Sequence, residues 1–120
     1  MEQNPRTILQ DAGIDYDAAV ARFSGNSGLY LRFLHKFLQD ENMELFTCSM
    51  REEHYEDALL AAHTLKGVAG NLGLTRLFDL CSQIVVDLRS DNTAQAQKLF
   101  PSAKEAYDAA VAAIGSTMEI

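Results

Sequence analysis

Apolar residues recur along this chain at intervals of three and four, with no strict alternation anywhere, so the pattern predicts helices and no strands. The cleanest stripe lies in Tyr55 to Leu74. There Ala58, Ala61, Leu65, Val68, Ala69 and Leu72 share one face of a helix of roughly five turns. Gly73 is its terminator, which leaves the helix at or just past Leu72. Upstream, a long helix is expected from Gly28 to about Met50, with Tyr30, Phe33, Leu34, Phe37, Leu38, Leu45 and Phe46 inward. The polar patch Gln39-Asp40-Glu41-Asn42 marks a place to bend, although nothing in it forces one. The charged link Arg51 to His54 is short enough to join antiparallel neighbours.

Downstream, Thr75 is expected to cap a helix to about Arg89 with Leu77, Leu80, Cys81, Ile84 and Leu88 inward. Ser90-Asp91-Asn92 is a turn, after which Thr93 caps a last helix to about Ile114. Ala96, Leu99, Phe100, Ala103, Tyr107, Ala110, Val111 and Ile114 line it. Pro101 lies inside and lacks an amide hydrogen, so a kink or a split is expected there, and Gly115 ends the pattern. Two shorter helices come first. One runs from Pro5 to about Gln10, anchored by Ile8 and Leu9 and ended by Gly13. The other runs from Tyr16 to Phe23 behind a cap at Asp15, with Ala19, Val20 and Phe23 inward. Ser24 to Ser27 is a loop in which Asn26 or Ser27 caps the next element. The expectation is an all-α fold, an antiparallel four-helix bundle with the short N-terminal helices as a lid. It would be one domain over residues 1–120, with its core bundle at about 27–114.

Composition narrows the function classes. With 48% hydrophobic residues and two prolines the chain is not a disordered one. A net charge of -7 opposes binding to nucleic-acid phosphates. Cys48 and Cys81 lack metal-ligand spacing and read as free, partly buried thiols of a reducing compartment. No Glu-x-x-His pair of a di-metal bundle occurs, so no metal is expected; nor is there a Gly-rich phosphate loop. The start MEQNPRTILQ is not a signal sequence, and no run approaches the roughly eighteen apolar residues of a membrane span. A cytoplasmic, monomeric, free-standing protein is the expectation, beginning at Met1 and ending in a loose Ser116 to Ile120.

Chemistry concentrates on the outward face of the Tyr55–Leu74 helix. At about 100° per residue His63 projects nearly opposite the apolar stripe, and Glu56, Lys66, Gly67 and Gly70 fall around it. Each glycine inside a helix costs about 1 kcal/mol relative to alanine, so two bare positions there suggest that something bulky approaches the backbone. Imidazole as a side-chain type is largely neutral near pH 7, with one ring nitrogen free to attack. Lys66, one turn on, supplies a flexible cation. A nucleophile, a cation and a bare landing surface together suit acceptance of a phosphoryl group brought by another protein. Leu59 and Leu60 flank the same face as a candidate apolar docking rim, with Asn71 and Glu56 beside them. His35 and His54 read as inert.

The run Ala62-His63-Thr64-Leu65-Lys66-Gly67-Val68-Ala69-Gly70-Asn71-Leu72-Gly73-Leu74, with Leu77 following, resembles the signature of the histidine-containing phosphotransfer (HPt) domain. That signature has His, Lys three residues on, Gly next and a second Gly six further, matched here at His63, Lys66, Gly67 and Gly73. A looser likeness extends over about residues 13 to 114, through Gly13-Ile14-Asp15, Tyr30, Phe33-Leu34 and Phe37. The resemblance implies the same bundle and a shuttle in a multistep phosphorelay, with His63 as phosphoacceptor through Nε2 and Lys66 screening the phosphoryl charge. It implies response-regulator receiver domains and a hybrid sensor kinase as partners. The chain would then be a carrier, not an enzyme, and Mg²⁺ is expected on the partner receiver, with no cofactor on this chain. Some family members hold the histidine tautomer with a Gln on the following helix. The matching position is Val85, which departs from that pattern and leaves Ser82 or Gln83 as substitutes. The alternatives are a bundle that binds or sequesters a response regulator or sensor kinase without transfer, and a kinase's own dimeric phosphoacceptor helix pair.

Overall fold

Several helices begin where a side chain takes up one of the first free amides. In the computed structural model, which describes residues 4–118, Asn4 Oδ1 accepts from the Thr7 amide at 2.9 Å and opens α1, Pro5–Asp11. Asp15 does the same for α2, Tyr16–Arg22, and Asn26 for α3, Ser27–Lys36. The remaining helices are α4 (Asn42–Arg51), α5 (Tyr55–Leu72), α6 (Thr75–Arg89) and α7 (Thr93–Thr117), and a 3₁₀ turn, Phe37–Gln39, follows α3. Among the described residues there is no strand.

Several boundaries depart from the pattern-based expectation. The long helix from Gly28 to Met50 is two helices. After the 3₁₀ turn Asp40 is extended, with ψ 131°, and its Oδ1 accepts from the Asn42 amide at 2.8 Å and from the Asn42 side chain at 2.9 Å. That local bonding competes with the helix and resets its phase. In consequence Leu45, expected inward, is 56% exposed, while Met43, Phe46 and Met50 are buried. Phe33 is also 46% exposed. Thr75 and Thr93 are first residues of their helices, not caps, and Asn92 Oδ1 accepts from the Gln95 amide in place of the expected Thr93. Finally, α7 runs unsplit through Pro101 and through Gly115. Pro101 is exposed, and its missing amide leaves the Gln97 carbonyl without its helical partner. Ser116 and Thr117, expected to be loose, close the helix, and residues 119–120 lie outside the described part.

The order of packing makes α5 the central element. It lies against α4 on one side and α6 on the other, α6 packs on α7, and α1 and α2 pack against α7 and α5 respectively. Ala58, Ala61, Leu65, Ala69 and Leu72 of the expected stripe are buried, and Val68 is half-buried. Ala62 and, on α7, Ala96, Ala103, Ala106, Ala110 and Ala113 are buried as well; these small residues let the helices approach closely. Tyr30, Leu34, Phe46, Leu77, Ile84 and Ile114 supply the bulk of the core.

The upstream helices hold the C-terminal end of α5. Gly73 terminates it in the left-handed region at φ +77°, and a Cβ there would lie 2.7 Å from the Asp15 carbonyl oxygen. Both facts require glycine. The last carbonyls of a helix lack intrahelical partners. Here the Arg22 guanidinium donates to the Gly70 carbonyl at 2.8 Å, the buried Tyr30 hydroxyl to Leu72 at 2.7 Å and the Asp15 amide to Gly73 at 2.9 Å. At the other end Gln97 of α7 donates to the Met50 carbonyl and to the Tyr55 hydroxyl, at 2.8 and 3.0 Å. The helix that carries His63 is therefore fixed at both ends.

Candidate functional site

The apolar stripe of α5 decides where His63 goes. With Ala58, Ala61, Ala62, Leu65 and Ala69 packed inward, the opposite side of the helix is left to solvent, and His63 and Gly67 are exposed there. Lys66 is half-buried beside them, its stem lying along the helix surface. Among the described residues neither side chain makes a hydrogen bond or an ion pair within the chain. An imidazole, an uncommitted ammonium and an unobstructed backbone thus share one surface.

The two glycines differ. A Cβ at Gly67 would meet nothing within 4 Å, so the helix surface there is open. A Cβ at Gly70 would meet the Phe78 ring at 3.0 Å. At Gly70 the Phe78 ring of α6 lies where a side chain would begin, so the bare position serves the packing of α6 on α5. Leu60 is 69% exposed, whereas Leu59 is half-buried against the core and offers less of an apolar rim than the wheel suggests. Glu56 and Asn71 are exposed.

No ring nitrogen of His63 has an acceptor among the described residues. Val85 is buried in the core. Ser82 donates to the Phe78 carbonyl at 2.7 Å, and Gln83 donates to the Asp87 carboxylate at 3.0 Å. Both expected substitutes for the tautomer-holding Gln are thus engaged elsewhere, and the His63 ring is left to solvent or to a partner.

Sequence reasoning missed two residues of this surface. Phe78, 36% exposed, walls the His63 face from the α6 side, and Arg22 reaches it from α2. Neither is close to His63 in sequence, and only the packing of α2 and α6 on α5 brings them in. His35 is not idle either. Its Nε2 stands 2.8 Å from Thr117 Oγ1 and ties α3 to the end of α7. Thr117 donates its hydroxyl to the Ile114 carbonyl, so Nε2 of His35 is the donor in that pair. Cys81 is fully buried, and burial pushes its thiol up to about 12. Cys48 is half-buried, with the Arg51 guanidinium donating to its sulfur at 3.6 Å. Among the described residues no helix is long and apolar enough to cross a membrane.

A family model described as Hpt domain matches residues 28–115. No curated protein and no solved structure matches the chain. The match begins in α3, takes in the whole of α5 with its histidine, lysine and glycines, and ends two residues before the end of α7. By that match, over most of its length, the chain belongs to the Hpt domain family, whose work is histidine phosphotransfer in two-component phosphorelays.

Proposed function

We propose that the chain is a phosphorelay shuttle that accepts a phosphoryl group on His63 from a receiver-domain aspartate and passes it to the aspartate of another receiver. The observation that carries this reading is the pairing of an exposed, unbonded His63 with Lys66 one turn on and an open helix surface at Gly67. In the accepting step the lone pair of His63 Nε2 attacks phosphorus, the bond from phosphorus to the aspartyl oxygen breaks, and the carboxylate leaves. The return step reverses this onto the second receiver. Phosphoryl transfer is governed by positioning and charge stabilisation. Here the fixed ends of α5 supply the positioning, Lys66 screens the phosphoryl oxygens, and Gly67 lets the partner's surface close in. Gly70, Leu60, Asn71 and Glu56 form the surrounding surface, to which Leu59 contributes only its exposed edge.

In this reading the chain is a carrier and not an enzyme, since Mg²⁺ and the remaining catalytic groups belong to the receiver. The partners are receiver domains and a hybrid sensor kinase, met by a cytoplasmic monomer. The fold is one domain over residues 1–120. It is an antiparallel four-helix bundle of α4 to α7, extended by α3 and closed at one end by α1 and α2. The sequential packing of α4 on α5, α5 on α6 and α6 on α7 supports that arrangement.

The test uses two receivers. A labelled phospho-receiver with Mg²⁺ should lose its label to the chain, and an unlabelled second receiver should then acquire it. A chain that binds receivers tightly but never carries label would be the sequestering module instead.

A further inference from the structure

One turn beyond His63 its face opens into a cleft of about 470 Å³ that follows the last turns of α5. At 1.5 Å per residue it begins about 6 Å along the helix from His63, at Gly67, and closes about 15 Å along, at Gly73. Gly67 and Gly70 make a bare floor, and Phe78 of α6, 36% exposed, makes an apolar wall. Asp79 of α6 and Asp15, the cap of α2, add two exposed carboxylates to the lining. Its one cation is Arg22, which donates to the Gly70 carbonyl at 2.8 Å. Two carboxylates against one guanidinium leave the lining net negative. Because α5 ends and α6 begins beside the cleft, the partial charges of the two helix ends oppose each other, and the side chains decide its sign.

We propose that this cleft takes a lysine or arginine side chain of the phosphorylated receiver, its stem on Gly67, Gly70 and Phe78 and its cationic head beside Asp79 and Asp15. This rests on the shuttle reading above. A receiver that brings its aspartyl phosphate to His63 must also cover the next turn of α5, where the cleft opens. A long basic side chain matches both parts of the lining, since it has an apolar stem and a charged head. Among the described residues neither Asp79 nor Asp15 makes an ion pair, and Asp15 engages only Oδ1, which accepts from the Ala18 amide at 3.3 Å. A bare metal ion does not fit the same place. It needs several converging oxygens, and no three His, Cys, Asp or Glu side chains come together among the described residues. A cation brought by the partner gives these carboxylates the opposite charge they lack within the chain, which favours receivers that carry one over receivers that do not. Asp79 and Asp15 thereby set which receivers dock, and neither touches the transferred phosphoryl group.

The experiment measures binding of a receiver domain from the same organism, by calorimetry at several salt concentrations, to the wild type, Asp79→Asn, Thr75→Asp and Asp91→Asn. Melting curves are taken alongside. Asp79→Asn should weaken binding about two- to fivefold and flatten its salt dependence. Thr75 is exposed in the cleft lining at the first position of α6, where an acid suits the helix end. Thr75→Asp should therefore tighten binding about twofold or more, a gain that damage to the fold cannot produce. Asp91→Asn makes the same change of charge in the turn at the other end of α6 and should leave the affinity unchanged. Binding by Asp79→Asn that equals or exceeds the wild type overturns the proposal. An equal loss in Asp91→Asn overturns it as well, because it assigns the effect to net charge, and so does a Thr75→Asp protein that binds no more tightly than the wild type. Transfer of label to the wild type is read separately. A receiver that binds and gives no label sinks the shuttle reading, whatever the binding comparison shows.

Discussion

Gly67 and Gly70 sit three residues apart on one helix face, yet alanine should act on them differently. Glycine in an exposed helix interior costs about 0.8–1.0 kcal/mol relative to alanine. At Gly67 the new methyl group meets nothing within 4 Å, so α5 should gain that full amount. Unfolding entropy of about 2.1 cal/mol/K per residue gives roughly 250 cal/mol/K for 120 residues, so the melting temperature should rise by about 4 °C. At Gly70 the methyl group would stand 3.0 Å from Cδ1 and 3.1 Å from Cε1 of Phe78. The ring must swing outward, and overpacking on the order of 1 kcal/mol cancels the gain or reverses it. Function should move the other way at Gly67. A methyl group in the plane where a receiver's backbone must close costs about 1–2 kcal/mol of docking, or about tenfold in transfer rate at low receiver concentration. Thermal melts followed by circular dichroism, and single-turnover transfer from a phospho-receiver, read the two effects separately. A Gly67→Ala protein that melts higher and transfers as fast as wild type would refute the claim that the bare surface serves docking. One that melts lower would refute the open geometry.

Tyr30→Phe removes the 2.7 Å bond to the Leu72 carbonyl at a fully buried site and should lower stability by about 1–3 kcal/mol in urea titrations. Alkaline stability should fall in two stages, as followed by urea midpoints across pH. Burial raises both Cys81, from 9.0 to about 12, and Tyr30, from 10.0 to well above its ordinary range. The unfolded chain therefore loses these protons first, and stability that is complete below about pH 9 declines above it, more steeply past pH 10. A thiol reagent should modify Cys48 in the native protein and reach Cys81 only on unfolding. Glu53 holds the left-handed region at φ +57° in the turn before α5, so Glu53→Gly should stabilise by roughly 0.5–1 kcal/mol, read from its urea midpoint.

What the residues reveal on their own is the part of the fold that depends on near neighbours in sequence. The stripe of α5, its end at Gly73 and the caps at Asp15 and Asn26 involve residues two to seven apart, and all stand where the pattern puts them. The break between α3 and α4 turned on one competition. Asp40 can bond the Asn42 amide or let the helix pass, and the apolar spacing across it fits either outcome until Leu45 is seen facing solvent. At Pro101 the pattern leaves open a kink or a split, and α7 carries on through it without a split. At the site, the helical wheel predicts the outward face of α5 but not what neighbouring helices lay upon it. Gly70 looked like Gly67 in the sequence, and only Phe78, eight residues on and in the next helix, separates them. Arg22, forty-eight residues before the carbonyl it binds, had no local signal at all. Spacing also matched Val85 to a tautomer-holding position, while the packing of α6 turns that residue into the core.

The central claim is that His63 carries the phosphoryl group. The most direct measurement is transfer from a phospho-receiver with Mg²⁺ to the wild-type chain and to His63→Gln, followed by peptide mapping of the label under alkaline conditions. One acid-labile, alkali-stable phosphate per chain on the peptide containing His63, and none on His63→Gln, is the predicted result. Label that persists in His63→Gln, or that maps to His35 or His54, would contradict it.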